Sequence, residues 1–262
     1  MEAKLFTQSR ISFTTGNRRR CIRRDEYSPV LAVLTRPSEN TSQITDKSSV
    51  KQANDSAGKT SVYNDNWFDK MAINHLSKSI QAVTGIRNNK TGFESLVAAA
   101  TATYRNFNPI QQHELVIQAL GLAFPKPIMT MIRTMLPKAQ FTREFFAAFT
   151  TVFFAWLVGP CEVRESELNG EKEKNEVYIK KCRFLEESNC VGMCTNLCKM
   201  PSQTFIKDNL GVSLNMVPNF DDMSCKMIFG QDPPSLADDP AFTQPCYKQC
   251  KVKQKHRTQC PG

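Results

Sequence analysis

Histidine is scarce in this chain, with three among 262 residues. No zincin helix, nucleophile elbow, Walker loop or dinucleotide fingerprint occurs. These absences remove the usual metalloprotease, hydrolase and nucleotide-dependent readings. A bilayer-spanning run is also missing. The most hydrophobic stretch, Phe145–Val158, covers 14 residues, short of the roughly 20 that a spanning helix needs. No apolar h-region of a secretory signal is present near the first methionine. The chain has no repeat of useful period, and no Cys-x2-Cys knuckle of the kind zinc ribbons use.

Positive charge is plentiful but unevenly placed. The net charge of +9 would suit an acidic partner. Yet residues 1–24 hold seven Lys or Arg against Glu2 alone, whereas residue 61 onward carries 23 basic and 19 acidic side chains. The body of the chain is therefore close to neutral, and nucleic acid is not expected as a partner. The N-terminus is rich in Arg, Ser and Thr and poor in acids, as organelle transit peptides are. Residues 36–61 are polar and carry no apolar periodicity. Residues 1–60 thus read as a transit peptide plus disordered linker, and residues 251–262 as a basic flexible tail.

Cysteine is the residue in excess. Ten occur, and seven fall in one pattern: Cys182, Cys190, Cys194, Cys198, Cys225, Cys246 and Cys250. Without a secretory signal a reducing compartment is expected, where clustered thiols serve metal or redox chemistry more often than structural disulfides. Thiolates suit zinc, copper(I) and iron–sulfur centres. Buried structural cysteine and redox-active disulfides stay open beside the metal reading. On a regular helix Cys190, Cys194 and Cys198 would share a face, but the outer two would lie about 12 Å apart along the axis. Either the segment unwinds, with Gly192 the candidate, or these thiols serve different centres. Asn189 is placed to cap a helix whose first turn holds Cys190. His113 lies beside Glu114 on a helix, so the two do not face one way, and it reads as a surface or core histidine.

The remaining pattern predicts an α+β fold. Helical spacing marks Trp67–Val83, stopped by Gly85; Phe93–Phe107; and Pro109–Ala123. Pro125 and Pro127 break the third, and a short apolar segment, Ile128–Leu136, follows. Phe145–Val158 reads as a buried central helix. Phe145, Phe149, Phe153 and Trp156 recur along it at helical spacing and could line a pocket for a large apolar ligand or lie near a membrane. CEVRESEL and NEVYIKKCRF flank Asn169-Gly170 as a β-hairpin, with a connection longer than two residues expected from the charged run Glu171–Lys174. Short strands are expected at Val212–Val217 and Cys225–Phe229. A helical layer (residues 61–158) would then pack on a small antiparallel sheet with a cysteine-rich, metal-binding C-terminal half (159–250) as one domain.

The strings FAWLVGPCEVRESELNG, YIKKCRFLEESNCVGMCTNLCKMPSQTFIKDNLG and DDMSCKMIFGQDPP closely resemble the plastid β-carotene isomerase family of strigolactone synthesis, the Dwarf-twenty-seven family. The resemblance covers roughly residues 66–250. It implies a plastid enzyme that contains iron, mononuclear or as an iron–sulfur cluster. It implies interconversion of all-trans- and 9-cis-β-carotene, with a carotenoid cleavage dioxygenase taking the product toward carlactone. The seven cysteines fall at the family's cysteine positions; Cys161 and Cys260 do not, and are not expected to be ligands. A rigid polyene drawn from a membrane suits the Phe-rich segment and a soluble or peripheral enzyme. Iron-dependent one-electron activation of the double bond is the expected mechanism. Two other readings remain: an iron–sulfur or zinc protein of electron transfer or assembly, and a related isomerase acting at another double bond.

Overall fold

The computed structural model describes residues 61–137 and 139–246. The chain divides into two units at Asp55/Ser56, and every described residue belongs to the second. The expected transit peptide and linker, the basic tail, Cys21, Cys250 and Cys260 lie outside the described residues.

Three helices open the unit, each with a local reason to start where it does. Asn66 caps α1 (Trp67–Thr84). Its side chain accepts from the Asp69 N–H while the Asp69 carboxylate accepts from the Asn66 N–H, a reciprocal capping box. Gly85, at φ 70°, ends the helix in the left-handed conformation that favours glycine. Helix α2 spans Gly92–Asn106. Asn108 and Gln111 form a second capping box at α3 (Pro109–Ala123). The two prolines that follow bend the chain by 79° without excluding a helix. Pro127 stands in the first turn of α4 (Lys126–Met135), where a missing N–H loses no intrahelical bond.

The Phe-rich segment departs from expectation. It forms two helices, α5 (Gln140–Phe153) and the single turn α6 (Ala155–Val158), broken at Phe154. Nor is it buried all round. Thr142, Phe146, Ala147 and Thr150 face inward, and Phe146 stacks on Phe229 at 6.1 Å. Phe145 and Phe149 stay 40% and 37% exposed. Polar anchors decide which face turns in. Arg143 forms a two-pronged ion pair with buried Glu173, at 2.7 and 2.5 Å, and Glu144 accepts from the Lys174 N–H.

Strands β1 (Cys161–Leu168) and β2 (Glu171–Ile179) form the expected hairpin, but its connection is only Asn169-Gly170. Both turn residues have positive φ, 53° and 83°, as a two-residue turn of that type requires. The charged run after it is strand, not loop. Glu171, Lys172 and Lys174 are exposed, and Glu173, which is buried, has Arg143 to meet. With β3 (Leu214–Pro218) and β4 (Cys225–Phe229) the sheet is fully antiparallel in the order β1-β2-β4-β3. β3 begins two residues after the expected Val212.

Between β2 and β3 lies the cysteine-bearing segment: α7 (Arg183–Ser188), α8 (Val191–Met193), a π-helical stretch (Cys194–Lys199) and α9 (Met200–Leu210). Arg183 ties this segment to the helical layer. Its guanidinium donates to both Asp65 oxygens at 2.6 and 2.9 Å and to the Trp156 carbonyl at 3.0 Å. It also lies over the rings of Phe93 and Tyr63. Gly192 meets Tyr104 of α2 so closely that a Cβ there would overlap the phenol. Replacing Gly192 with Ala should cost about 1–3 kcal/mol. Combined with Tyr104→Phe, the loss should be smaller than the sum of the two single losses. Urea unfolding of the four proteins measures this, and strict additivity would refute the contact.

Candidate active site

The cysteine spacing gains its meaning from where the helix is interrupted. The break is not at Gly192, which stays inside α8. It is at Asn189, which ends α7 in the left-handed region (φ 46°), and at Cys190, which is extended and stands as the N-cap of α8. Asn189 therefore does not cap the helix that follows. Further on, Pro201 lacks the N–H that would bond four residues back. The chain widens just before it into the π-helical stretch, closed by a bond from the Met200 N–H to the Thr195 carbonyl. This stretch begins with Cys194 and contains Cys198.

Two other thiols arrive from the sheet side. Cys182 follows β2 and its N–H donates to the Met223 carbonyl at 2.7 Å, which places it against the turn leading to Cys225. Cys225 opens β4, opposite Ile179 on β2 and Pro218 on β3. Cys182, Cys194, Cys198 and Cys225 lie close enough that each of the six pairs among them interacts electrostatically. This quartet is the centre of the site. Beside it the Lys199 ammonium and the Asp239 carboxylate form an ion pair at 2.5 Å, both almost fully buried. The Lys199 charge favours the thiolates of Cys194 and Cys225.

Burial nevertheless wins. It pushes the Cys198 thiol up to about 12, with repulsion from Cys182 adding to it and a hydrogen bond with Ser202 opposing it. Burial first, then their fellow thiols, drive Cys194 and Cys225 well above the ordinary 9.0. Cys182 is raised by burial despite the Leu185 and Phe184 N–H groups. Without metal, the quartet is four neutral thiols. The donor chemistry suits a soft or borderline metal, but the arrangement does not close on one. Among the described residues, no group of three or more His, Cys, Asp or Glu could hold a metal ion.

One quartet member also faces an apolar cleft with a cavity volume of about 70 Å³. Leu76 and Ile80 of α1, Leu96 of α2, Val116 and Leu120 of α3, and Leu157 of α6 form its walls, with Cys198 and Ser202 among them. A run of aromatic contacts leads toward it. Phe141, Phe145, Phe149 and Phe153 stack along α5 at centroid steps of 6.3, 6.0 and 4.9 Å. Phe153 meets Phe154 at 5.0 Å, and Phe154 meets Phe124 at 5.9 Å. Leu157 and Leu120 each lie about one turn from that last pair.

Of the seven expected cysteines, four converge. Cys190 is buried one turn before Cys194, its carbonyl accepting from the Cys194 N–H, and Cys246 is half-buried beyond the strands. Cys161 stands two strands from Cys225, its thiol raised by burial to about 11. Phe145, Phe149 and Phe153 form the ladder. Trp156 is buried off the stack, meeting Phe154 at 6.4 Å in a tilted contact, and its indole Nε1 finds no partner among the described residues. Sequence reasoning missed Lys199, Asp239 and Ser202. A Lys directly after a cysteine was the only available signal.

A neutral thiol quartet with one member, Cys198, in the wall of an apolar cleft, on an α+β frame without nucleotide or hydrolase machinery, suits a hydrophobic ligand. Residues 156–238 match the family model for the C-terminal region of beta-carotene isomerase D27-like proteins. This region includes the whole quartet. Over 235 residues the chain is 61% identical to the chloroplastic beta-carotene isomerase D27 of Medicago truncatula, covering 90% of this chain and 89% of the relative. It is 53% identical to the protein of the same name from Arabidopsis thaliana over 194 residues, 73% of this chain and 74% of the relative. No solved structure matches. The chain belongs to the beta-carotene isomerase D27 family, and is an isomerase of the chloroplast.

Raised thiol pKa values have a stability consequence. Such a thiol stabilises the fold fully below its unfolded value, 9.0, and loses that contribution as pH rises toward its folded value, about 12 for Cys198. Metal-free protein should therefore show a urea midpoint that falls from about pH 9 upward. Cys198→Ala should flatten that fall, and an unchanged slope would contradict the assignment.

Proposed function

We propose that this chain interconverts all-trans- and 9-cis-β-carotene, the reaction implied by its family, at the cleft walled by Cys198. The observation that carries the proposal is this cleft, apolar on nearly every side, with the aromatic run ending about one turn from two of its wall residues, Leu157 and Leu120. A pure hydrocarbon offers no hydrogen bonds, so its binding must come from apolar burial, about 25 cal/mol per Å². The cleft can enclose only part of a polyene roughly 30 Å long, comparable to the hydrocarbon core of a bilayer. The ladder on α5, a helix of 14 residues, offers about 20 Å of further apolar length.

Rotation about a conjugated double bond requires its double-bond order to be lost for a moment. The residues of this chain hold the polyene still, exclude water and set one segment against a thiol. We assign iron to the quartet on the chemistry of its donors. Because the thiols do not close on a metal as they stand, binding would require them to draw together, and no step is assigned to it. The product would pass to a carotenoid cleavage dioxygenase on the way to carlactone and strigolactones, and the substrate would come from a plastid membrane.

Cys198→Ala should lower isomerisation of all-trans-β-carotene at least about tenfold, with Cys161→Ser close to wild type. Chromatography of the products reports which double bond has turned, and equal activity in both variants would refute the cleft assignment. Anaerobic purification with iron, zinc and acid-labile sulfide measured together tests the metal. Iron should be present and should fall in Cys194→Ser. Active protein holding zinc alone would overturn the iron assignment and leave the isomerase standing.

A further inference from the structure

Among the described residues, half of the exposed large apolar side chains lie on two consecutive helices, the rest being spread over α1, α3 and isolated positions. On α4, Ile128, Met131 and Met135 recur at helical spacing and are 51%, 54% and 73% exposed, while Met129 is the helix's buried residue. On α5, Phe141 and Val152 are 61% and 83% exposed, on the side away from the sheet. A soluble fold gains nothing by leaving two such stripes in water, and exposed apolar patches of this kind mark interaction surfaces.

Resting on the carotene reading above, we propose that the outer faces of α4 and α5 lie in the headgroup–acyl boundary of a membrane and form the entrance for the substrate. Three observations choose lipid as the occupant. The first is charge. The charged side chains of α4 are Lys126 and Arg133, the latter also donating to the Asp208 carbonyl of α9. From Gly121 to Pro160 the sole acid is Glu144, whose carboxylate is engaged by the Lys174 N–H and Gln140. An apolar stripe bordered by cations is the pattern of an interfacial helix at an anionic surface. A second copy of the chain would set the same cations against each other, while the one acid of that stretch, Glu144, is already engaged. The second is form. No described helix is long and apolar enough to cross a bilayer alone, while α3 and α4 together pass by length and composition but bend by 79°. Such a pair suits lying on a membrane better than spanning one. The third is continuity. The exposed ladder runs through Phe153 and Phe154 to Phe124, about one turn along the chain from Leu157 and Leu120 in the cleft wall. A hydrocarbon that leaves the acyl layer there would follow aromatic rings toward the cleft that holds Cys198.

Flotation of the full chain with phosphatidylcholine vesicles, with and without phosphatidylglycerol, tests this first in the absence of carotene. The wild type should float, better with the anionic lipid and less at high salt. Met131→Glu/Met135→Glu should sediment. The same proteins are then given all-trans-β-carotene in vesicles or in detergent micelles. The double variant should lose about tenfold or more from vesicles and stay within about twofold of wild type in micelles. Ile128→Glu repeats the test if the double variant melts early. Wild type that fails to float, or variants that float as well as wild type, overturn the proposal. So does a variant that turns a dimer into a monomer while vesicles bind neither protein, which would make the face a self-contact. Wild type that floats yet isomerises nothing in micelles would sink the carotene reading and leave the membrane face supported.

Discussion

A guanidinium taken out of water must replace the hydrogen bonds it gives up, and the two terminal nitrogens of Arg183 do so by gathering separate parts of the chain, while its Nε is left without a partner among the described residues. Asp65 comes from the segment before α1, the Trp156 carbonyl from α6, and the flanking rings of Tyr63 and Phe93 from that same segment and α2. A buried cation without these partners would destabilise the fold by several kcal/mol. The demand for partners therefore fixes how the helical layer meets the cysteine-bearing half. Its chain neighbour is Cys182, so the constraint acts one residue from the quartet. Glu186 adds a second tie on the same helix, accepting from the Ser61 N–H and the Tyr63 hydroxyl and pairing with Lys181.

Within that frame, two requirements oppose each other. A substrate without polar groups needs dry, apolar walls, and dryness keeps thiols neutral by penalising the thiolate. The buried Lys199–Asp239 pair works against this. It brings a positive charge to the edge of the quartet while staying neutral overall with its partner, so the apolar cleft need not accommodate a lone cation. Asp239 belongs to the loop after β4, where it also accepts from the Ala241 N–H. The proline-rich loop is thereby tied to the helix that carries Cys194 and Cys198.

Much of this was legible in the residues. The glycine stop at Gly85, Pro109 in the first turn of α3 and the Asn169-Gly170 hairpin are local devices, complete within a few positions, and they appear where their residue types place them, whereas the capping boxes at Asn66 and Asn108 were passed over. The Phe-rich segment was legible as a helix with an aromatic face but misread as buried. Periodicity reports that a helix has a face, and the partner of that face is chosen by contacts elsewhere, here Arg143 with Glu173 and Phe146 with Phe229. The charged run Glu171–Lys174 was misread as loop for the same reason. A buried glutamate looks like a solvated one until its arginine, 30 positions away, is in view.

The sequence by itself determined the family, the class of fold and the supply of thiols, because these rest on long specific strings and on residue types. Tertiary structure alone decided which thiols meet. Cys190, Cys194 and Cys198 are evenly spaced along the chain, yet the third and second join Cys182 and Cys225 while the first stands at the head of a new helix. The breaks at Asn189 and before Pro201, together with the strand register that sets Cys225 opposite Ile179, made that selection. Spacing measures distance along the backbone, and reactivity depends on distance through space and on what surrounds the group.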